Sequence, residues 1–570
     1  MLDSRNANSL WAGVLVETLV RLGLRRAVVS PGSRSAPLAF ALARHPELES
    51  IPVLDERSAA FFALGMAKRD RKPVLLVCTS GTAGANFLPA LIESQESGTP
   101  LIAITADRPP EMRGCASGQT IDQQKLFGDH VNFYQELALP EAAEPLLRYL
   151  RQTVAHAWAS ALSPRAGPVH LNAVFRDPLP PIVDGSTERF AEGIDWAGFF
   201  AHLSPGLPAE PIEAGPSWPP GTRGVIVAGP AQPPDPEAYA ASVGEIARKL
   251  GWPVLADGMS PARHHSSLVP HMVTAYDAIL RDAAAADRLR PDAVLCLDDW
   301  PTSKVLRAWL EKHDVPSWIA TTRPENRDSL HGRTRRLAMS AGALAAGLLS
   351  AEAVPGHREA WSAAEGRART VLDETLRVEA GLFEPKAAWL LAQYLPKGTP
   401  VFVASSMPVR DAEWFWPPND RRIRPYFNRG ANGIDGTLST ALGTAHGGAP
   451  AVLLTGDLAL LHDMGAFLLR RRFRGGLTVV LVNNRGGGIF EHLPVAQFEP
   501  PFEEFFATPQ DADFERLCAA FGIPHILVRD WPHFTGLIGE LPGGIRVLEL
   551  RTDRKKDAAQ RKMLLAAAAR

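Results

Sequence analysis

Short runs of Val, Leu and Ile recur along this chain, each closed by a polar or Gly/Pro turn and followed by a helical pattern. In the first third they read RRAVVSPGS, SIPVLDERSAAFFALGMAKRD, KPVLLVCTSG and TPLIAITADRPP. In the middle they read GVIVAGP, WPVLADG, DAVLCLDD and PSWIATT, and in the last third PVFVASS, AVLLTGD, LTVVLVNN and IRVLELR. Strands that are apolar on both faces, spaced by helices, belong to parallel sheets covered on both sides. The predicted fold class is α/β, with three domains of parallel sheets flanked by helices. A length of 570 residues accommodates three or four domains. The expected domains are residues 1–185, 186–370 and 371–570, with a Pro/Gly-rich linker at Ser204–Thr222. SGTAGANFLPALIES and GDLALLHDMGAFLLRRR occupy similar places after a strand, so the outer domains read as relatives flanking a middle one. A polar helical region is expected over Gly356–Leu382.

Composition narrows the function. A net charge of -2 gives no reason for binding nucleic acid or an anionic membrane. Four distant cysteines without CxxC argue against zinc and disulfides and fit a reducing cytoplasm. The opening MLDSRNANSLWAGVLVETLVRLG carries acids and lacks a long apolar run, so it reads as a domain helix, not a signal peptide. The uncharged, mostly small-residue stretch Leu337–Ala351 is shorter than the ~20 residues a bilayer needs and reads as a packed helix. No GxGxxG stands in the middle third, so no dinucleotide is assigned, and no HExxH occurs.

Two strand ends carry the most specific pattern. The run Ala451–Leu454 ends at Gly456-Asp457, and 27 residues after Asp457 a second run ends at Asn483-Asn484, before more glycines. Parallel strands end on the same edge, where ligands bind. Asp457, an Asn amide oxygen and a backbone carbonyl in the Gly-rich turn form a hard-oxygen set. Such a set suits magnesium, which keeps phosphate oxygens among its ligands. The plainer reading is two ordinary turns, with Asp457 as a helix N-cap.

The first third adds Ser33 and Arg34 in SPGSRSAPL, an anion site at a helix N-terminus or a capped turn. Glu56 lies between an apolar strand and an apolar helix, either half-buried or facing the helix macrodipole. Arg108 and Gln119 sit on a loop after another strand. Later come Lys304, then Ser406 and Arg410, then Arg429 and Ile434 in FNRGANGIDG. If Arg34, Arg108, Lys304, Arg410 and Arg429 converge, the substrates carry several carboxylates. If they do not, they are solvated surface cations.

Gly456-Asp457, its interval and Asn483-Asn484 resemble the diphosphate-binding motif of thiamine-diphosphate enzymes, and Glu56 resembles their strand-end glutamate. SPGSRSAPL, TADRPPE, FNRGANGIDG and NNRGGGIFEHLP further resemble the 2-succinyl-5-enolpyruvyl-6-hydroxy-3-cyclohexene-1-carboxylate synthase family of menaquinone biosynthesis, from about Trp11 to beyond Pro494. The resemblance implies pyrimidine-binding, central and diphosphate-binding domains in that order. It implies a carboligase that joins 2-oxoglutarate to isochorismate with loss of carbon dioxide. Glu56 would hydrogen-bond the cofactor's pyrimidine, and Ile434 would be an apolar wedge against it. Asp457, Asn484 and the Gly486 carbonyl would hold magnesium, with manganese as an alternative. Ser406, Arg410 and Arg429 would face the oxo acid, and Ser33, Arg34, Arg108, Gln119 and Lys304 isochorismate. Ile489 and Phe490 would line the reactive centre. A cytoplasmic homodimer is implied, with a tetramer left open. Three positions depart from the family pattern: Leu458 where Gly is usual, Gly118 where Asn is expected, and Val305 where some relatives carry a second cation. An acetolactate synthase-like carboligase is the neighbouring reading, but pyruvate's single carboxylate leaves the cations without a purpose. A non-catalytic cofactor-binding regulator would not need Glu56.

Overall fold

A computed structural model describes residues 2–203, 215–350 and 354–570. Among these residues stand three six-stranded sheets. The first comprises β1 (Arg26–Ser30), β2 (Glu49–Pro52), β3 (Val74–Cys78), β4 (Leu101–Asp107), β5 (Phe133–Glu136) and β6 (Pro168–Val174). The second comprises β7 (Gly224–Ala228), β8 (Val254–Ala256), β9 (Met272–Val273), β10 (Ala293–Leu297), β11 (Ser317–Ala320) and β12 (Thr334–Leu337). The third comprises β13 (Pro400–Val403), β14 (Arg424–Tyr426), β15 (Ala451–Gly456), β16 (Gly476–Asn483), β17 (His525–Leu527) and β18 (Gly544–Arg551). Every pairing is parallel.

Strand order separates the sheets into two types. The first runs β2-β1-β3-β4-β6-β5 and the third β14-β13-β15-β16-β18-β17, which is the same topology. The second runs β12-β11-β10-β7-β8-β9, the doubly wound order. In the second sheet the chain reverses its direction of winding once, between β7 and β10; in the first and third it reverses between β1 and β3 or β13 and β15, and again at the far edge, where β6 and β18 turn back inside β5 and β17. A crevice opens beyond the strand ends at such a reversal.

The chain divides into two compact units. One holds Met1–Pro208, Asn428–His446 and Asp463–Arg474, and the other holds Ala209–Phe427, Gly447–His462 and Gly475–Arg570. In the first unit the opening segment forms helix Ala7–Leu22, N-capped by Asn6, whose side chain accepts from the Ser9 amide. Helix Glu56–Asp70 crosses helix Thr437–Ala445 at Gly65 and Gly443. A Cβ at Gly65 would stand 2.1 Å from the Thr440 carbonyl oxygen, so this crossing requires glycine. Lys68 and Glu93, both buried, pair at 3.3 Å, and Glu93 also accepts the amides of Gly430 (3.2 Å) and Ala431 (2.7 Å). A buried carboxylate is tolerable when its lone pairs are filled in this way.

In the second unit one apolar cluster runs from Val225 and Val294, through helix His357–Val378, to Val401, Val452 and Val480. That helix is the expected polar helical region. Buried Arg263 donates to the carbonyls of Ala256, Glu413 and Trp416, which ties β8 to helix Met407–Phe415. The expected helix over Leu337–Ala351 is corrected. Leu337 ends β12, and the helix covers only Ala341–Gly347. Arg335 and Arg336, just before Leu337, are exposed on an edge strand, which needs no apolar run. Part of the expected linker, residues 204–214, lies outside the described residues. Beyond it Trp218 packs edge-on against Trp252 and Trp318 of the second sheet.

Asp463, fully buried in the first unit, accepts the Ser439 amide (2.6 Å) and hydroxyl (2.9 Å). Burial raises its pKa from 3.8 to about 7 against those bonds. Between these values the folded state keeps a proton that the unfolded chain releases, so this contribution to stability is full below 3.8 and lost as pH rises through about 7. Asp463→Asn removes that loss. The thermal midpoint of the variant relative to wild type should therefore climb steadily across that interval. A difference independent of pH would contradict the assignment.

Candidate functional site

The site in the second unit begins where β15 and β16 end side by side. Their register pairs Gly456 with Val482, so Asp457 and Asn484 emerge on one edge. Asp457 opens helix Asp457–His462 and is buried. Its Oδ1 accepts the Leu458 amide at 2.7 Å, and its Oδ2 accepts the Gly486 amide at 2.9 Å. It is thus both a helix-terminal acid and a bridge to the next strand's turn. Burial pushes its pKa up to about 6; the two amides pull it down, and the Glu384 carboxylate adds to the rise.

Asn484 is also buried. Its Nδ2 donates to Glu384 Oε1 at 2.6 Å, while its Oδ1 accepts nothing. The Gly486 carbonyl accepts the Gly488 amide at 2.9 Å and keeps a second lone pair. One carboxylate after β15, and one orphaned amide oxygen and one carbonyl in the turn after β16, therefore lie at one sheet edge with no cationic side chain bonded to them. This donor chemistry fits a hard divalent cation. Among the described residues, no three His, Cys, Asp or Glu side chains group as metal ligands, so a cation here draws on the amide and carbonyl oxygens.

Behind Asn484 lies a buried ionic cluster that sequence reasoning missed. Arg561, on helix Arg554–Ala569, donates to Glu384 Oε2 (2.8 Å), to both Asp411 oxygens (2.8 and 3.0 Å) and to His492 Nε2 (3.2 Å). Burial opposes the Arg561 charge, but Asp411 and Glu384 raise its pKa well above the ordinary arginine value. Burial and the Arg561 charge hold His492 down to about 3, so it stays neutral and accepts. The partners are 69 to 177 residues apart in sequence, and no local motif marks them.

The same unit holds five other expected residues. Ser406 ends the turn after β13 with φ +74°, and its carbonyl accepts from Arg410 Nη1 at 2.5 Å. Ile489 and Phe490 are half-buried on the short turn Gly488–His492, with Phe490 edge-on to Phe506. Lys304 is exposed at the first position of helix Lys304–His313. A cation is disfavoured at that end of a helix by the macrodipole.

The remaining expected residues lie in the first unit. Arg34 is 5% exposed and donates to the Phe175 carbonyl at 2.8 Å. Arg108 donates to the Gly118 carbonyl at 3.0 Å. The two guanidinium groups come close enough that Arg108 lowers the Arg34 pKa, second only to burial, against Asp177 and Asp107. Both Nε atoms are buried without a partner. Two neighbouring cations with unused donors form a place for an anion. Asp107 accepts the Arg108 amide (2.7 Å) and Arg113 Nη2 (3.0 Å), and so shapes this loop. Gln119 donates to the Ser80 carbonyl at 3.1 Å, at the end of β3. Ser33 is exposed in the turn after β1. Glu56 is half-buried at the first position of its helix, beside the Asp55 N-cap, and its charge helps raise the buried Cys78 thiol. Arg429 and Ile434 are half-buried on the segment that Glu93 holds. Thus Arg34 and Arg108 are brought together, as are Asp457, Asn484 and Gly486. Lys304 and Arg410 belong to different sheets of the second unit.

Three family models match the chain. "Thiamine pyrophosphate enzyme, N-terminal TPP binding domain" covers residues 11–129, "Middle domain of thiamine pyrophosphate" residues 217–403, and "Thiamine pyrophosphate enzyme, C-terminal TPP binding domain" residues 415–540. Similar proteins include the 2-succinyl-5-enolpyruvyl-6-hydroxy-3-cyclohexene-1-carboxylate synthase of Trichormus variabilis, 52% identical, covering 98% of this chain and 97% of that protein. The synthase of Microcystis aeruginosa is 52% identical over 97% of this chain and 98% of its own.

Gly486 adopts φ +134°, and a Cβ there would lie 2.4 Å from the Ala507 carbonyl oxygen. Gly486→Ala should cost about 1–3 kcal/mol through strain and overpacking. Thermal unfolding checks this, and an unchanged midpoint would show that the turn relaxes freely.

Proposed function

The chain belongs to the 2-succinyl-5-enolpyruvyl-6-hydroxy-3-cyclohexene-1-carboxylate synthases, a thiamine-diphosphate-dependent family, and from that membership we propose how its residues divide the work. The enzyme joins the four-carbon unit left by decarboxylation of 2-oxoglutarate to isochorismate, in menaquinone biosynthesis. When bound, thiamine diphosphate supplies the electron sink for the pair that carbon dioxide leaves behind.

The expected pyrimidine-binding (1–185), central (186–370) and diphosphate-binding (371–570) domains each contain one sheet. Asp457, the Asn484 Oδ1 and the Gly486 carbonyl hold magnesium, or manganese in its place, and through it the diphosphate. The observation that carries this assignment is the buried, unpartnered Asn484 Oδ1 beside a carboxylate held only by amides. Glu56 shares a proton with the cofactor's pyrimidine nitrogen, and its half-buried place at the start of the helix that follows β2 supports that role. Ile434 presses on the cofactor as an apolar wedge.

Both substrates carry two carboxylates. Arg34 and Arg108, with Ser33, Gln119 and Lys304, orient isochorismate, and the two unused Nε donors support an anion between them. Ser406, Arg410 and Arg429 read the oxo acid. Ile489 and Phe490 exclude water from the reacting atoms. The smallest active unit is a homodimer, and sedimentation measures whether such dimers pair into a tetramer. The working compartment is the cytoplasm. Among the described residues no helix is long and apolar enough to cross a membrane.

Purified protein should consume isochorismate with 2-oxoglutarate and not with pyruvate, and the reverse preference would overturn the substrate assignment. Glu56→Gln keeps the size and removes the shareable proton, so turnover should fall by ~100-fold or more while the cofactor dissociation constant holds. Equal turnover would take Glu56 out of the chemistry. Removing one partner of a desolvated carboxylate costs about 2–5 kcal/mol, or roughly 30- to several-thousand-fold. Arg410→Ala should lower kcat/KM for 2-oxoglutarate by that order and relax discrimination against oxo acids that lack the second carboxylate. Arg34→Ala should instead act on the isochorismate term. The opposite pattern would exchange the two anion sites.

A further inference from the structure

We propose that Glu384 is a positioning residue that fixes which end of the Asn484 amide faces the cation, an inference that rests on the metal reading above. An asparagine amide has an acceptor end and a donor end of nearly equal shape. Only the oxygen end can bind a cation, so a freely turning amide would offer the wrong end much of the time. Here the donor end is occupied. Asn484 Nδ2 lies 2.6 Å from Glu384 Oε1, and a carboxylate can only accept. The Oδ1 must then point the other way, and there it is buried with nothing to accept.

Glu384 is itself held from several directions. Arg561 Nη2 donates to its Oε2 at 2.8 Å, and the Thr552 hydroxyl reaches its Oε1 at 3.3 Å. Its own amide donates to Asp557 Oδ2 at 3.0 Å. Arg561 is fixed in turn by the two-pronged contact with Asp411, which neighbours Arg410 on helix Met407–Phe415. The C-terminal helix therefore sets the orientation of a metal ligand through one carboxylate. A generic ion pair could use Arg561 and Asp411 alone. The contact to Asn484 is what a purely structural pair does not require.

The test is the affinity of the purified enzyme for magnesium with thiamine diphosphate, measured by calorimetry. Glu384→Gln keeps the volume but adds a donor. Arg561 demands the oxygen end of that glutamine, so its amino group faces Asn484 and reverses the amide. Affinity should fall about 10- to 100-fold, the usual cost of losing a partner that orients a ligand. Glu413→Gln is the control: another buried carboxylate, beside Arg263 and apart from this turn. It should lower the thermal midpoint and leave the affinity unchanged. Wild-type affinity in E384Q overturns the proposal, as does a loss in E413Q that matches it. If E384Q does not fold, the double variant with Asn484→Asp carries the test, because it keeps an acceptor facing a donor and the same net charge. Binding by the folded double variant supports the proposal and absence of binding overturns it. Wild-type protein that binds no magnesium with thiamine diphosphate would overturn the metal reading itself, a failure distinct from unchanged affinity in E384Q.

Discussion

Parallel pairing is the constraint on which everything else depends. A parallel strand cannot return through a hairpin, so each crossover helix carries the chain back and every strand ends on the same edge. Functional side chains can then be spread over hundreds of residues and still share a rim. In the first sheet, Ser33 and Arg34 follow β1, Glu56 follows β2, and Arg108 follows β4. In the third, Ser406 follows β13, Asp457 follows β15, and Asn484 follows β16. The two sheets have the same strand order, so each offers the same kind of edge.

Such an edge must accept charge where the sheet is buried, and the protein meets that demand in two ways. Glu93 and Glu384 are surrounded by a cation and amide donors until their lone pairs are filled. Asp457 receives only backbone amides, chiefly those of Gly486 and Leu458, and burial still leaves its pKa raised. The first arrangement stabilises a structure, since breaking it would leave a buried charge alone. The second leaves capacity for a cation that is not part of the chain. The contrast between filled and unfilled carboxylates distinguishes support from site more clearly than burial does.

This contrast also explains what could be read from sequence. Central strands are covered on both faces, so their Val/Leu/Ile runs were visible. Four of the six edge strands, β5, β9, β12 and β14, gave no such run, and that of β17, Ile526–Val528, is only three residues long. An edge strand such as FYQE or TRRL needs only one neighbour and one covered face. Central β6, PVHLNAV, escaped for another reason. His170 and Asn172 are buried within it, and His170 Nε2 and Asn172 Oδ1 bond the Thr105 hydroxyl of the adjacent strand. In the site, strand-end residues were legible because turn chemistry announces them. Glu384, Asp411 and Arg561 were not, since only the fold brings them together.

The departures from the family pattern sharpen the point. Leu458 stands where glycine is usual, yet its contribution is its amide, given to Asp457 at 2.7 Å from within a helix. Helical backbone does not require glycine, so the side chain is free to vary there. Gly118 contributes its carbonyl to Arg108, and a Cβ at that position would meet nothing within 4 Å. An asparagine would fit, and its absence removes a side-chain contact without disturbing the loop. Val305 packs against the apolar cluster of the second unit while Lys304 stays exposed. At each position the backbone or the packing performs the task that the fold requires. Where the side chain itself supplies the oxygen, as at Asp457 and Asn484, the backbone cannot stand in for it.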